Sequence, residues 1–490
     1  MDFADSFAVF CCCAHQHGRF NMGFILSILY FVTHYLTSPI IFGPLADAHV
    51  EMVLAILISF ISLFKLKGSV LLKAPQLLAL VGLAFAGSLS VVFGMHWISG
   101  ALQAFPAFIP CAFGYILVCL HCNSQKKLQA LVCVLLFVCL FVIARGFIDL
   151  HYGVSRSCSL HSETTEPAET DLNSWDMEHP YLLGTGDNSG ESVYRLRGLG
   201  LIHDPNDFGQ LVVCVVPLVF IFWRTKRTLG NIAFVILPVS TLLYGAFLTH
   251  SRGALLALIA MAIVAARRRI GTLPALLLAC GLFAAAMALN FTGGRDISAE
   301  AGADRTELWS TGLQLLKSHP LFGVGLDNMA DYTATHHTAH NSVVVCAAEL
   351  GIFGLYFWCL FLFSSVRDAL AVASPAKVSE TEPMLSEERP FPMAPRKTES
   401  VDKAEINRLG RLLVLSFTGF LVAGWFLSRA YVMTYFLLGG MVEVVYEMAL
   451  QRGMIAPHLR LTRVLFYTGG LAISLVLTVY IMLRVTNLMH

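Results

Sequence analysis

The hydrophobic positions of the chain fall into long apolar runs, separated by shorter polar segments. A helix needs about 20 apolar residues to cross the hydrocarbon core of a bilayer. The runs therefore predict thirteen spans, near 22–44, 47–64, 76–95, 99–120, 128–147, 207–223, 229–248, 253–266, 272–291, 341–366, 410–427, 430–449 and 464–484. Because the second and eighth runs are short, the pattern predicts an all-α, polytopic membrane bundle of about 12–13 helices.

Composition supports a membrane protein with one integral domain over residues 1–490. The chain is 56% hydrophobic and 13% charged, whereas soluble domains are about 25% charged. Its net charge of +1 gives no reason to expect nucleic acid as a partner. Most of the 13 cysteines lie inside apolar runs, where Cys behaves as a small hydrophobe. The run Cys11–Cys13 leaves metal binding and lipid attachment open.

Basic residues in the short loops orient the spans, because cytoplasmic loops of membrane proteins are enriched in Lys and Arg. When the spans alternate, four basic loops fall on the same side, which we assign to the cytoplasm. These loops hold Lys65, Lys67 and Lys73; Lys126 and Lys127; Arg224, Lys226 and Arg227; and Arg267, Arg268 and Arg269.

Three long polar segments connect the spans. Residues 367–409 are rich in Pro, Ser, Glu and Lys and predict a disordered cytoplasmic loop. Residues 148–206 form a first periplasmic loop, in which SETTEPAETD and GTGDNSGES are typical of flexible chain. Residues 292–340 form a second periplasmic loop. Its stretch RTELWSTGLQLLKS has apolar residues at helical spacing and predicts an amphipathic helix over the bundle.

Unusual polar groups collect on the outer side of the predicted bundle. Five outer segments each bring an Arg or a His to the same level, although outer loops are normally poor in Arg. A planar guanidinium suits phosphate and stays charged in a low-dielectric site, so these residues predict an anionic ligand. The groups are Arg195, Arg197, His203, Asp204 and Asn206; Ser251 and Arg252; Arg305; His336, His337, His340 and Asn341; and Ser428, Arg429 and Tyr431.

His340 is the strongest candidate for chemistry, because an imidazole at the lip of a membrane helix can move protons near neutral pH. The pair His340-Asn341 is followed by nine residues and then by Gly351 and Gly354. His336 and His340 are four positions apart and could share a zinc ion. We assign no metal, since neither a Glu between them nor a Cys pair supports that reading.

Several of these groups also have a structural interpretation. Arg195 and Arg429 could extend to lipid headgroups or cap helix ends, and Ser251-Arg252-Gly253 could be a tight turn with Ser as helix cap. Asp204-Pro205-Asn206 is typical of a helix start. For His319-Pro320 and Gly323/Gly325 we favour a turn that ends the amphipathic helix, and for Glu349 packing is as good an explanation as catalysis.

The ordered set of motifs resembles the bacterial O-antigen ligases and their wider superfamily. That superfamily includes the O-antigen polymerases and the O-linked protein oligosaccharyltransferases. The resemblance rests on the spacing from His340-Asn341 to Gly351 and Gly354. Preceding motifs agree in order: Arg197 with Asp204-Pro205-Asn206, then Ser251-Arg252-Gly253-Ala254, then Arg305 with Trp309 and HPLFGVG. It covers roughly residues 190–355, and the flanking spans agree only in hydropathy.

The resemblance implies a glycosyltransferase without cofactor or metal, in the bacterial inner membrane, acting in surface polysaccharide biosynthesis. The donor would be a glycan on undecaprenyl diphosphate at the periplasmic face. By resemblance, His340 is the base, and Arg252 and Arg305, helped by Arg197, hold the diphosphate. We also place Asn341, His337, Ser251, Asp204 and Asn206 in the substrate site.

The acceptor stays open, because one set of catalytic groups could serve a ligase, a polymerase or a protein transferase. The acceptor would accordingly be lipid A core, another glycan or a protein hydroxyl. A transporter of an anionic lipid-linked substrate would explain the arginines but not the one-sided histidine, since transport sites lie near the midplane. Membrane lipids are partners under either hypothesis.

Overall fold

The computed structural model describes residues 22–36, 49–66, 69–153, 180–186, 192–199, 202–293, 300–334, 336–374 and 397–489. Cys11–Cys13 and the predicted flexible stretch SETTEPAETD lie outside these residues. Within them, eight helices are long and apolar enough to cross a membrane, and four further apolar helices are shorter.

Fourteen helices follow one another along the described chain. They are α1 Met22–Leu36, α2 Val50–Leu63, α3 Pro75–Gly94, α4 Ala104–His121, α5 Gln125–Ile148, α6 Pro205–Val219, α7 Thr228–Leu248, α8 Arg252–Ile270, α9 Thr272–Ala288, α10 Glu300–Ser318, α11 Ser342–Ala373, α12 Lys397–Gly424, α13 Met433–Gln451 and α14 Leu461–Met489. A helix lies at each of the thirteen predicted spans. The all-α, polytopic membrane architecture is therefore confirmed.

The core of the bundle lies around α11 and α13, most of whose residues are buried. Helix α11 packs against α3, α10, α12, α13 and α14, while α13 packs mainly against α4. Alternation of the helices brings the connections before α6, α8, α11 and α13 to one end, here called the His340 end. The predicted basic loops lie at the opposite end, where Arg224 pairs with Glu405 at 2.7 Å.

The predicted amphipathic helix is present as α10, which lies on α11 and α14. Its buried face includes Leu308, Trp309 and Leu315. The Trp309 indole Nε1 donates to the Ala339 carbonyl at 2.8 Å. This contact ties α10 to the segment that carries His340.

Two loop predictions need correction. Part of the stretch GTGDNSGES is not flexible loop, because strands β1 Leu182–Gly186 and β2 Ser192–Leu196 pair antiparallel within the segment 148–206. The polar segment 367–409 is helical at both ends, since α11 continues to Ala373 and α12 begins at Lys397. Strong helix formers such as Lys, Glu, Ala and Leu explain the start of α12, and residues 375–396 lie outside the described chain.

Candidate active site

The start of α11 positions His340. The Asn341 side chain caps this helix, since its Oδ1 accepts from the backbone N–H groups of Val343 at 2.9 Å and Val344 at 3.1 Å. His340 lies one residue earlier with a left-handed backbone, φ 48°. Its own N–H donates to Ser428 Oγ at 2.8 Å. A conformation that is costly for most residues is thereby fixed from both sides, as is common at functional sites.

The imidazole of His340 is half-buried and lies in a field of mixed charge. The His337 ring centroid is 6.3 Å away. Burial, followed by the positive charges of Arg305 and His337, lowers the pKa of His340 below its ordinary value, while Asp204 opposes that shift. The ring is therefore neutral near pH 7, which is the form that accepts a proton. Four residues predicted to share a site thus act on one another electrostatically.

Three helices begin close together around His340. Asp204 caps α6 by accepting from the Asn206 N–H at 2.7 Å. Ser251 caps α8 by accepting from the Ala254 N–H at 3.3 Å. Both residues therefore have the structural role that the sequence left open, and Asn341 has the same role at α11. A helix N-terminus carries partial positive charge and unpaired N–H groups, which favour anions.

Close packing confirms that these three helix starts converge. A Cβ placed on Gly424, at the end of α12, would lie 3.4 Å from both Gln210 Nε2 of α6 and Ser342 Oγ of α11. A Cβ on Gly253 of α8 would lie 3.4 Å from Phe426 Cβ. The connection from α12 to α13, which includes Ser428, is therefore the common neighbour of all three.

Two of the predicted arginines are buried and hydrogen-bonded to backbone, and two others are more accessible. Arg195 is buried and joins three segments, because its Nε donates to the Thr249 carbonyl at 2.9 Å and its Nη2 to Asn206 Oδ1 at 3.0 Å. Arg197 is buried as well, and its Nε donates to the Pro180 carbonyl at 3.1 Å. Arg252, the first residue of α8, and Arg305, in α10, are half-buried. The last two are better placed to meet a ligand.

An ion pair that the sequence analysis missed lies beside this group. Arg429 contacts Asp207 through Nη2 at 2.5 Å and Nε at 2.7 Å. Burial alone would lower the pKa of Arg429, but the Asp207 carboxylate outweighs it and raises the pKa. The two residues are 222 positions apart, so only their shared outer position in the predicted topology hinted at the pair.

The glycines of the histidine motif have a backbone explanation. Gly351 interrupts α11 with φ 65° and ψ −168°. The segment that follows α10 pairs with the helix there: the N–H groups of Val324 and Gly325 donate to the carbonyls of Ala348 at 3.0 Å and Glu349 at 3.1 Å. In return, the N–H groups of residues 352 and 353 donate to the carbonyls of residues 320 and 321 at 2.8 and 3.2 Å.

This pairing links the predicted turn after α10 to the helix that carries His340. The predicted turn at His319-Pro320 is present, since α10 ends at Ser318. A Cβ on Gly351 would lie 2.4 Å from the Leu321 carbonyl oxygen, so no larger residue fits. The nine-residue spacing therefore separates the helix cap at Asn341 from the helix interruption.

A cavity of about 240 Å³ opens beside Ser428, whose hydroxyl accepts from the His340 N–H. Its wall includes Ser428 and Arg429, together with Asp327 and Tyr431 from the same end of the bundle. It reaches His34 on α1, whose Nδ1 lies 2.6 Å from Glu51 Oε1. The cavity thus provides space between the connection from α12 to α13 and the first helices.

The site therefore combines a neutral imidazole, arginines and three helix N-termini on a polytopic membrane scaffold. Residues 237–359 match a protein-family model described as O-antigen ligase. This match confirms the resemblance seen in the sequence, over about a quarter of the chain. The match includes Arg252, Arg305 and His340 and ends before α12. A search of curated proteins found no match.

The O-antigen ligase match supports a role in glycan transfer of the ligase or polymerase type. The multi-pass membrane fold agrees with that role. Arg197, Asp204 and Asn206 lie outside the matched residues. Asp204 acts on His340 electrostatically, and Asn206 contacts Asp204 and Arg195. Arg197 contacts Pro180 and Tyr181, so its expected place in the site rests on the order of the motifs.

Proposed function

We propose that this protein transfers a glycan from an undecaprenyl-diphosphate carrier to an acceptor hydroxyl. The reaction would take place at the periplasmic face of the inner membrane, in the biosynthesis of a surface polysaccharide. The observation that carries the proposal is the neutral His340 imidazole beside Arg305, within the matched O-antigen ligase domain. Of the three acceptor classes, we place the ligase reaction first.

His340 acts as general base in this proposal. Its neutral ring takes the proton of the acceptor hydroxyl while that oxygen bonds to the anomeric carbon of the donor glycan. Ser428 and Asn341 hold the segment so that the ring stays at the mouth of the bundle. His337 lies on the exposed side of this segment, with its ring centroid 6.3 Å from that of His340, where it could contact the sugar.

Arg252 and Arg305 act on the leaving group. As the bond between the anomeric carbon and the diphosphate oxygen breaks, negative charge grows on the departing carrier diphosphate. A guanidinium can meet that charge with two parallel hydrogen bonds. The helix N-termini capped by Asp204 and Ser251 add partial positive charge at the same place. Because these groups supply the stabilisation, the proposed reaction needs no metal.

The resemblance predicts that Arg197 helps to hold the diphosphate, but its hydrogen bonds favour a role in positioning the backbone. Its Nε donates to Pro180, and its backbone N–H donates to the Tyr181 carbonyl at 2.9 Å. We therefore propose that it positions the β1–β2 hairpin, while Arg195 anchors that hairpin to Thr249 and Asn206. The hairpin would then form one wall of the donor site.

Variants at two left-handed histidines test the base. His340→Asn removes the imidazole but keeps a residue type that tolerates positive φ. The matched control is His336→Asn, because His336 has φ 51° and lies exposed in the same segment. We expect His340→Asn and Arg252→Ala each to reduce transfer at least 100-fold, with membrane insertion unchanged. Wild-type transfer by either variant would refute the assigned mechanism.

Deletion of the gene in its native host identifies the acceptor class. Gel analysis of cell-surface glycan is the readout. A ligase predicts loss of all attached glycan while lipid-linked chains accumulate. A polymerase predicts loss of long chains with single units retained, and a protein transferase predicts loss of glycan from protein alone. Unchanged surface glycan would contradict the whole proposal.

A further inference from the structure

A second polar cluster lies at the end of the bundle opposite His340. It consists of Asp368 on α11, Glu443 on α13 and His458 in the connection from α13 to α14, and is called here the inner triad. Asp368 is separated from Ser342 by 26 positions along α11, or roughly 40 Å at 1.5 Å per residue. The inner triad is therefore remote from the proposed transfer site, and nothing in the proposed function uses it.

The geometry of the inner triad is that of a ligand set. One ligand atom from each residue can be chosen so that all three lie within 4.8 Å of one another. Glu443 Oε1 is 3.4 Å from His458 Nε2, and Asp368 Oδ1 is 3.6 Å from His458 Nδ1. Ligands bound to one zinc ion at about 2.0–2.2 Å are roughly 3.4 Å apart in a tetrahedron. The two contacts given above use different nitrogens of the His458 ring, of which one ion can bind only one. The three ligand atoms within 4.8 Å of one another must therefore each move by about 1 Å to close the set.

The buried carboxylate of Glu443 is the strongest argument for a bound cation in the inner triad. Its residue is 1% exposed. Within the described chain neither carboxylate oxygen makes a hydrogen bond, and the ionic contact of Oε1 with His458 Nε2 is long, at 3.4 Å. Asp368, which is 0% exposed, is better satisfied, because it accepts from Gln76 Nε2 at 3.1 Å and from Arg367 Nε at 2.8 Å. A buried carboxylate without a hydrogen bond and with one long ionic contact is costly, and a bound cation would supply the missing interactions.

The third ligand is held in place by its neighbours. The Tyr446 ring stacks on the His458 ring with centroids 4.3 Å apart and planes at 16°. The Tyr446 hydroxyl donates to the Ala456 carbonyl at 2.8 Å, which fixes the connection that carries His458. Support of this kind orients metal-binding histidines. Arg367 Nη2 lies 2.9 Å from His458 Nδ1, and metal binding would shift this guanidinium onto Asp368 alone.

We propose that Asp368, Glu443 and His458 form a binding site for a divalent transition metal ion. One imidazole and two carboxylates suit zinc and manganese. The ion would join α11, α13 and the connection to α14 at the inner end of the bundle, and its role would be structural. This site is independent of the transfer chemistry at His340.

Metal binding to the purified full-length protein tests this site. Equilibrium dialysis against Zn²⁺ or Mn²⁺, followed by elemental analysis, gives stoichiometry and affinity. The protein carries no histidine tag, and Cys11–Cys13 are replaced by serine so that their thiols take up no zinc. We expect one equivalent of metal, and an affinity at least tenfold lower in Glu443→Gln.

The matched control is Glu447→Gln, one turn further along α13. Glu447 is a half-buried glutamate that accepts from Gln451 Nε2 at 3.0 Å and lies outside the triad. We expect its affinity to stay within about twofold of the parent protein. His458→Gln, at the edge of the site, replaces Glu443→Gln if that variant fails to fold. The proposal is overturned if neither ion binds stoichiometrically, or if both triad variants bind as the parent does.

Discussion

Replacement of Gly351 by alanine should destabilise the bundle more than replacement of an ordinary helix glycine. With φ 65° and ψ −168°, Gly351 occupies a backbone region that is essentially restricted to glycine. A side chain in such a region costs on the order of 1–3 kcal/mol. Its Cβ would also lie 2.4 Å from Leu321 O, 2.5 Å from Leu321 C and 2.6 Å from Phe322 N.

Those three atoms belong to backbone and cannot rotate away as a side chain would. To make room, the segment after α10 must move, and the four backbone hydrogen bonds that pair it with α11 must weaken. Each contributes about 0.5–1.5 kcal/mol net. Loss of two of them together with the conformational strain gives about 2–6 kcal/mol. Because the same segment borders α11 close to His340, transfer activity should fall as well.

Gly281→Ala is the matched control, because Gly281 lies inside α9 and a Cβ there meets nothing within 4 Å. Alanine is the better helix former, by about 1 kcal/mol, so this variant should be neutral or slightly stabilised. Unfolding midpoints of both variants, measured in the same detergent at one heating rate, provide the comparison. Equal midpoints for Gly351→Ala and Gly281→Ala would refute the explanation of the histidine–glycine spacing.

Two further predictions concern charge. The pKa of His340 is lowered from the ordinary histidine value of 6.5. We therefore expect kcat/KM to stay constant as the pH falls to 6.5 and to decline only at lower pH, where the ring protonates. Arg305→Gln should raise the pKa of His340, so that the decline begins at a higher pH. A decline at or above pH 6.5 in the parent would contradict a neutral, Arg-depressed base. Asp207→Asn should cost roughly 1–3 kcal/mol because it removes the negative charge that is paired with Arg429. Glu405→Gln should cost less than about 1 kcal/mol, because its ion pairs with Arg224 and Arg408 are more exposed. Equal thermal midpoints for these two variants would exclude a structural role for the Asp207 pair.

The membrane helices could be predicted because each apolar run needs only a local pattern to be recognised. The start of α12 at Lys397 could not, because its first turns are polar and project beyond the apolar run. The β1–β2 hairpin was missed for a different reason: LLGTG and SVYRL are short and lack a clear alternation of apolar and polar residues. Arg195 is what fixes the hairpin, through contacts with residues 11 and 54 positions away.

The candidate site could be predicted only in part, because the topology shows which polar groups lie on the outer side of the bundle but not which of them are in contact. His340, Arg305, His337 and Asp204 were grouped in this way, and the pKa of His340 now links them. Partners within the site depend on tertiary contacts that no local pattern contains. Ser428 is the example: it anchors His340 across 88 positions of sequence, although it is one of many serines at helix ends.

Two kinds of residue make up the histidine motif: some determine the path of the backbone, and His340 carries the chemical group. Asn341 and Gly351 determine where α11 begins and where it is interrupted, through hydrogen bonds that any membrane bundle could use. His340 contributes to neither task with its side chain. Its imidazole is instead half-buried within the influence of the Arg305 charge, on a left-handed backbone that Ser428 holds in place. Because His336 shares the left-handed conformation, the backbone alone does not distinguish His340. The case for chemistry at its side chain rests on the lowered pKa of the imidazole and on the nearby charge of Arg305.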